Sequence, residues 1–209
     1  MKKILVFFFS ILIAASNCQS FGQSKSRELT ESFKEVLRNS GVLIRQIVPP
    51  NFTPVTIDPN VLFRYNYAIK SNVDGVEIRY RVESIPEYLK EFEDFKKKNP
   101  KAILVSPKKE DYLQEFVVNL QNLAGSPENI YSSRPFPSKA VKDEFGADWG
   151  SNSFLDLNPG YEEPYKHCLL VALHKDGVAN VYIMYLSNDK EKLLKFVKGT
   201  YLFYNIRFQ

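Results

Sequence analysis

Four side chains in the second half of the chain carry the most chemistry: Glu144, Asp148, Trp149 and His174. The first three fall in Glu144-Phe145-Gly146-Ala147-Asp148-Trp149-Gly150. With Asp143, that stretch gathers carboxylates around the only tryptophan of the sequence. Carboxylates beside an aromatic ring suit a cation, a sugar or a basic peptide. Two of them can also act as acid and base when burial raises the pKa of one. The plainer alternative is a surface turn in which Phe145 and Trp149 plug the core while the acids face water.

The two histidines, His167 and His174, lie seven residues apart on one predicted strand, so they point to opposite faces and do not share a metal. Asp176-Gly177 reads as a two-residue type I′ turn, which sets His174 beside Ala179. Cys168 shares the face of His174, but roughly 20 Å of strand separates them, which excludes a Cys–His pair from that strand. H-E-x-x-H, C-x-x-C, G-x-S-x-G and P-loop patterns are absent, and no metal or cofactor is implied. Glu144 or Asp148 with His174 is the constellation left for catalysis, and each histidine is otherwise a structural or solvent-facing side chain.

Tyr65, Tyr67, Tyr80, Tyr182, Tyr185, Tyr201 and Tyr204 fall on predicted strands. They are either core with the hydroxyl at the rim or a platform for a carbohydrate or peptide. Arg64, Arg79 and Arg81 beside Glu77 and Glu83 read as a solvated face of mixed sign.

The elements that must position these residues are legible from periodicity. Residues 28–40 form an amphipathic helix with Leu29, Phe33, Val36 and Leu37 on one side and Gly41 as its stop. A short strand at 52–57 is confined to an edge by Pro54. Residues 62–70 and 76–83 alternate and make a hairpin, with Phe63, Tyr65, Tyr67 and Ile69 on one side of its first strand. Residues 86–98 form a short Lys- and Glu-rich helix, and 100–107 an excursion from the sheet. Residues 111–123 make a helix with Tyr112, Leu113, Phe116, Val117, Leu120 and Leu123 as its stripe. Residues 125–138 read as a loop. Residues 165–174 are apolar on both faces, as a central strand requires. Residues 178–186 pair with them, a helix capped by Asn188-Asp189 runs to about Lys198, and 201–208 closes the chain as a strand.

The start of the chain has its own pattern. Lys2-Lys3 precedes an apolar run over 4–15, too short to span a bilayer and of signal-peptide length. Ser20-Phe21-Gly22 offers a cleavage site that makes residues 1–22 a signal peptide and leaves 23–209 as one domain, while Ala14-Ala15-Ser16 is an earlier alternative. Cys18 raises the further possibility of lipidation, although Asn17 precedes it. Taking Lys2 and Lys3 from the 28 basic residues brings the formal net charge from +4 to +2 against 24 acidic ones. With no concentrated basic stripe, nucleic acid is excluded as a partner. Membrane contact is expected only through the export signal or a lipid on Cys18.

The element order over residues 50–208, with the 62–83 hairpin, the 111–123 helix, the His174-Lys175-Asp176-Gly177 turn and the final helix–strand pair, resembles the PsbP-like family. The stretch from Glu144 to Gly150 also resembles a feature of exported bacterial proteins without assigned roles. The resemblance implies an α+β fold, an α/β/α sandwich with a mainly antiparallel central sheet and helices on both faces. It further implies a non-enzymatic accessory or binding role. The expectation is an exported, periplasmic or extracellular, non-catalytic module that takes a protein, peptide or carbohydrate. The alternative is a periplasmic hydrolase using carboxylates near Asp148 with His174.

Overall fold

The computed structural model describes residues 28–45, 48–160 and 164–209. The predicted signal peptide, with Cys18, and the predicted new terminus at Gln23 lie outside them. Helix α1 (Glu31–Asn39) starts where the Thr30 hydroxyl accepts the Phe33 N–H at 3.3 Å, and it buries Phe33 and Leu37. Short strands β1 (Val42–Ile44) and β2 (Phe52–Pro54) lead to the hairpin of β3 (Tyr67–Ser71) and β4 (Val76–Ser84). Ser84 both ends β4 and caps α2 (Ile85–Lys98), accepting the Glu87 N–H at 3.3 Å, so strand passes into helix without a loop. Helix α3 (Asp111–Ala124) stops at Gly125. Then come β5 (Ile130–Pro135), α4 (Ser138–Phe145), β6 (Trp149–Asp156), β7 (His167–Lys175), β8 (Ala179–Ser187), α5 (Lys190–Gly199) and β9 (Ile206–Phe208).

Seven strands form one antiparallel sheet in the order β2-β3-β4-β8-β7-β6-β5, and β1 pairs with β9 in a separate two-stranded ladder. Period-two alternation sends the side chains of the central strands to two different layers. On one face Ile78, Tyr80, Val181, Ile183 and Val171 pack with Phe33 of α1, Val141 and Phe145 of α4 and Leu193 of α5. On the other, Leu170, Ala172, Tyr182 and Met184 pack under Phe116, Leu120 and Leu123 of α3. The architecture is the expected α+β fold, an α/β/α sandwich with an antiparallel central sheet and helices on both faces.

Local expectations are corrected in several places. The strand predicted over 62–70 begins only at Tyr67, because Asn66 interrupts the alternation. Its N–H donates to the Tyr80 carbonyl at 2.7 Å and its Oδ1 accepts the Val82 N–H at 2.5 Å. Phe63 and Tyr65 therefore face the α3 layer, opposite Tyr67 and Ile69. The predicted loop 125–138 contains edge strand β5, whose polar, largely exposed residues give no alternation to read. The turn predicted around 143–150 is the end of α4 and the start of β6. Residues 201–208 split into a 3-10 turn and β9. In α3, Leu113 and Val117 are exposed, and Asn119 is buried in their place.

The face of β4 read as solvated lies largely inside. Glu77 and Arg79 are buried because β4 is a central strand with Tyr65 and Tyr165 over it. The tyrosine platform is likewise corrected, since Tyr65, Tyr67, Tyr80, Tyr182 and Tyr185 are buried.

The hairpin between β7 and β8 differs by one residue, with a large consequence. Lys175 pairs with Ala179, leaving three residues in the loop. Only Gly177 has positive φ, +68°, so the type I′ turn, which needs positive φ at both central residues, is excluded. The register moves by one, and His174 stands opposite Asn180 instead of Ala179.

Candidate functional site

That register builds a cross-sheet row on the α3 face: Glu83 of β4 opposes Asn180 of β8, Asn180 opposes His174 of β7, and His174 opposes Trp149 of β6. Arg81 stands two residues back along β4, on the same face as Glu83. Helix α3 lies across the row. Its Tyr112 stacks on His174 with ring centroids 3.7 Å apart and planes at 8°. Tyr112 and Phe116 also meet Trp149, at 5.4 and 5.2 Å. One turn on, Glu115 reaches down to the same row.

A chain of polar contacts results. His174 Nδ1 meets Asn180 Oδ1 at 2.7 Å, and Nε2 meets Asp176 Oδ1 at 3.0 Å. Asn180 Nδ2 donates to Glu115 Oε2 at 3.4 Å. Arg81 Nη2 donates to Glu83 Oε1 at 2.6 Å and reaches Glu115 Oε1 only at 3.5 Å. Asn119 Nδ2 is also 3.5 Å from Glu115 Oε1. Arg81 further sits over the rings of Phe63 and Tyr182, at 4.8 and 5.5 Å.

The electrostatics follow from these distances. Burial, and then the negative charge of Glu83, push the Glu115 carboxyl up to about 7, against a partial pull downward from Arg81. Asp176 is held below the usual carboxylate range, first by the hydrogen bond from Lys109, whose Nζ lies 2.6 Å from Oδ2, and then by His174.

Between α2 and α3 this row is the foot of an open cleft of about 740 Å³. That volume lies within the range of about 300–1,000 Å³ common to small-molecule sites. Ile85, Tyr88 and Leu89 of α2 face Glu115 and Val118 of α3, with Lys108, Lys109, Asp111 and Asp176 at the rim. Tyr88, Leu89 and Val118 remain exposed at 56, 43 and 45 %. No residue of α2 is buried, and its Ile85, Tyr88 and Leu89 line the cleft.

Of the four site residues expected from sequence, the structure gathers three. His174 lines the cleft, and Trp149 backs it through Tyr112. Asp148 stands just outside, where its Oδ2 accepts the Asp176 N–H at 3.0 Å and its own N–H donates to the His174 carbonyl at 2.9 Å. Glu144 is not brought to them. It is exposed on α4, whose Val141 and Phe145 pack into the opposite layer, and its carbonyl accepts from Arg207 Nη1 at 3.2 Å.

Sequence reasoning places Arg81 and Glu83 on a solvated face and gives Glu115 and Asn180 no role. The signals were the wrong hairpin register for Asn180 and, for Glu115, the polar pair Glu115 and Asn119 interleaved with Phe116 and Leu120 at helical spacing.

His167 faces the other layer, as its spacing requires. There Asp156 accepts from the Tyr131 hydroxyl and meets His167 Nδ1, each at 2.5 Å. Among the described residues, no group of three or more His, Cys, Asp or Glu side chains is placed to hold a metal ion. Also among them, no helix is long and apolar enough to cross a membrane. Cys168 is buried. No protein-family model matches the chain, and no curated protein sequence matches it.

Proposed function

We propose that this chain is an exported, non-catalytic binding or accessory protein whose ligand site is the cleft between α2 and α3. The observation that carries the reading is the polar row at its foot, Glu83, Asn180 and His174 with Glu115 above, opening onto exposed apolar walls at Tyr88, Leu89 and Val118. A concave site with apolar walls and a few convergent polar groups is what small ligands require. Export rests on Lys2-Lys3 and the apolar run 4–15. The PsbP-like relationship rests on element order.

The hydrolase alternative finds support in one place, Asp148 linked to His174 through the Asp176 turn. It asks His174 for a ring nitrogen free to act on substrate. Both nitrogens already have oxygen partners, and the ring face is covered by Tyr112. The binding reading asks for no such freedom.

A thermal-shift screen of the full chain, paired with the cleft-filling variant Val118→Trp, tests the proposal. A ligand at roughly one hundred times its Kd stabilises by about 2.7 kcal/mol, a rise of about 5–10 °C in Tm for a chain of this size. The expected result is a shift in the native chain that V118W abolishes. A shift of equal size in V118W places the ligand elsewhere and contradicts the proposal.

A further inference from the structure

The charges around the cleft divide into two sets. At the rim Lys109 pairs with Asp176 at 2.6 Å, and Lys108 and Asp111 add one formal charge of each sign, Asp111 Oδ2 accepting the Lys108 backbone N–H at 2.7 Å. At the foot two carboxyl groups, Glu83 and Glu115, share one guanidinium, Arg81. Arg81 serves them unequally, with 2.6 Å to Glu83 and 3.5 Å to Glu115. The two side-chain amides that reach Glu115, from Asn119 and Asn180, stand at 3.5 and 3.4 Å.

A charge-assisted hydrogen bond closes to about 2.7–2.9 Å, so none of the three N–H donors around Glu115, from Arg81, Asn119 and Asn180, stands that close, and its other hydrogen-bond partner, Glu83, is itself an acid. What would complete the foot of the cleft is one positive charge with several N–H donors. What the walls leave open above it, at Tyr88, Leu89 and Val118, is apolar surface.

The geometry points to a small-molecule primary amine on an apolar stem as the ligand, its ammonium bridging Glu83 and Glu115 and its stem lying between α2 and α3. This rests on the cleft being the binding site, as proposed above. An ammonium offers three donors on a compact charge, enough for both carboxylates. The aromatic ring of Tyr88 and the side chains of Leu89 and Val118 cover a hydrocarbon stem in proportion to its area. A carboxylate or phosphate ligand meets the opposite situation, since Arg81 is already engaged by two acids.

Isothermal titration calorimetry of the full chain with hexylamine and with hexanol separates charge from stem, and acetyl-lysine methylamide replaces the free amine by a lysine side chain. Hexylamine is expected to bind at least about tenfold more tightly than hexanol. Glu115→Gln is expected to remove most of that advantage while leaving hexanol unchanged, and V118W to weaken both. Equal binding of hexanol and hexylamine would leave the cleft as a binding site and overturn the amine. Tighter binding of acetyl-lysine methylamide than of hexylamine would overturn the small-molecule ligand in favour of a lysine side chain. Failure of all three probes to bind, or binding unaffected by V118W, would remove the amine together with the cleft reading.

Discussion

Strand β4 carries two arginine–glutamate pairs, each with its partners two residues apart on the α3 face, and they end in opposite situations. Glu77 and Arg79 form a closed unit. Arg79 Nε donates to Glu77 Oε1 at 2.8 Å, the Tyr165 hydroxyl donates to Glu77 Oε2 at 2.6 Å, and the Tyr65 ring covers the guanidinium at 4.7 Å. Both side chains are about 95 % removed from water. Arg81 and Glu83 keep 20 and 37 % of their side-chain surface exposed, and a second acid, Glu115, leans on the same guanidinium. Full burial with complete partners makes a structural pair. Partial exposure with a surplus carboxylate leaves binding capacity, and the cleft stands where that capacity lies.

The largest effect expected from breaking this contrast is at the closed pair. Arg79→Met leaves Glu77 buried without its cation, and removal of one partner of a buried pair costs about 3–5 kcal/mol. Urea denaturation should show that loss, and a loss below about 1 kcal/mol would mean the pair is not closed.

The next effect is at Glu115. Its folded-state pKa of about 7 lies above the ordinary 4.5, so folding favours its neutral form. That contribution is complete below about pH 4.5 and is lost as pH rises through 7. With 37 % of the Glu115 side chain facing water, solvent screening reduces the magnitude. E115Q should therefore gain about 1 kcal/mol on the native chain between pH 5 and pH 8. Parallel stability curves for the two proteins would contradict the raised value.

The smallest effect on stability is at Arg81. Arg81→Met keeps an apolar body over Phe63 and Tyr182 and should change stability by about 1 kcal/mol or less, as part-exposed pairs do. Its sharper signature is on Glu115, whose titration should move further upward once the one cation that lowers it is gone. A downward movement would mean Arg81 does not face Glu115.

The sandwich was legible in the sequence because its central strands and α3 bury long, regular stripes. Residues 165–174 announce a doubly covered strand, and Leu120 and Leu123 fall at helical spacing. Edge strand β5 was not legible, since its Ser, Ser and Arg side chains pack on little. The site was half legible. His174 and Trp149 drew attention by type, and both stand at the cleft or directly behind it. Asn180 was hidden by a turn one residue longer than Asp176-Gly177 suggests, which flips every partner across the hairpin. Arg81 and Glu83 were hidden because an alternating charged strand face looks the same in sequence whether water or a helix covers it. Glu144 was drawn in by proximity along the chain to Asp148, and the left-handed turn at Gly146 separates them.

The most direct test is the titration of the Glu115 side-chain carboxyl by carbon NMR in the full chain, alone and with saturating hexylamine. The expected result is a midpoint near 7 in the free protein and a lower one when the ammonium arrives. A midpoint at the ordinary 4.5, unmoved by the amine, would contradict it.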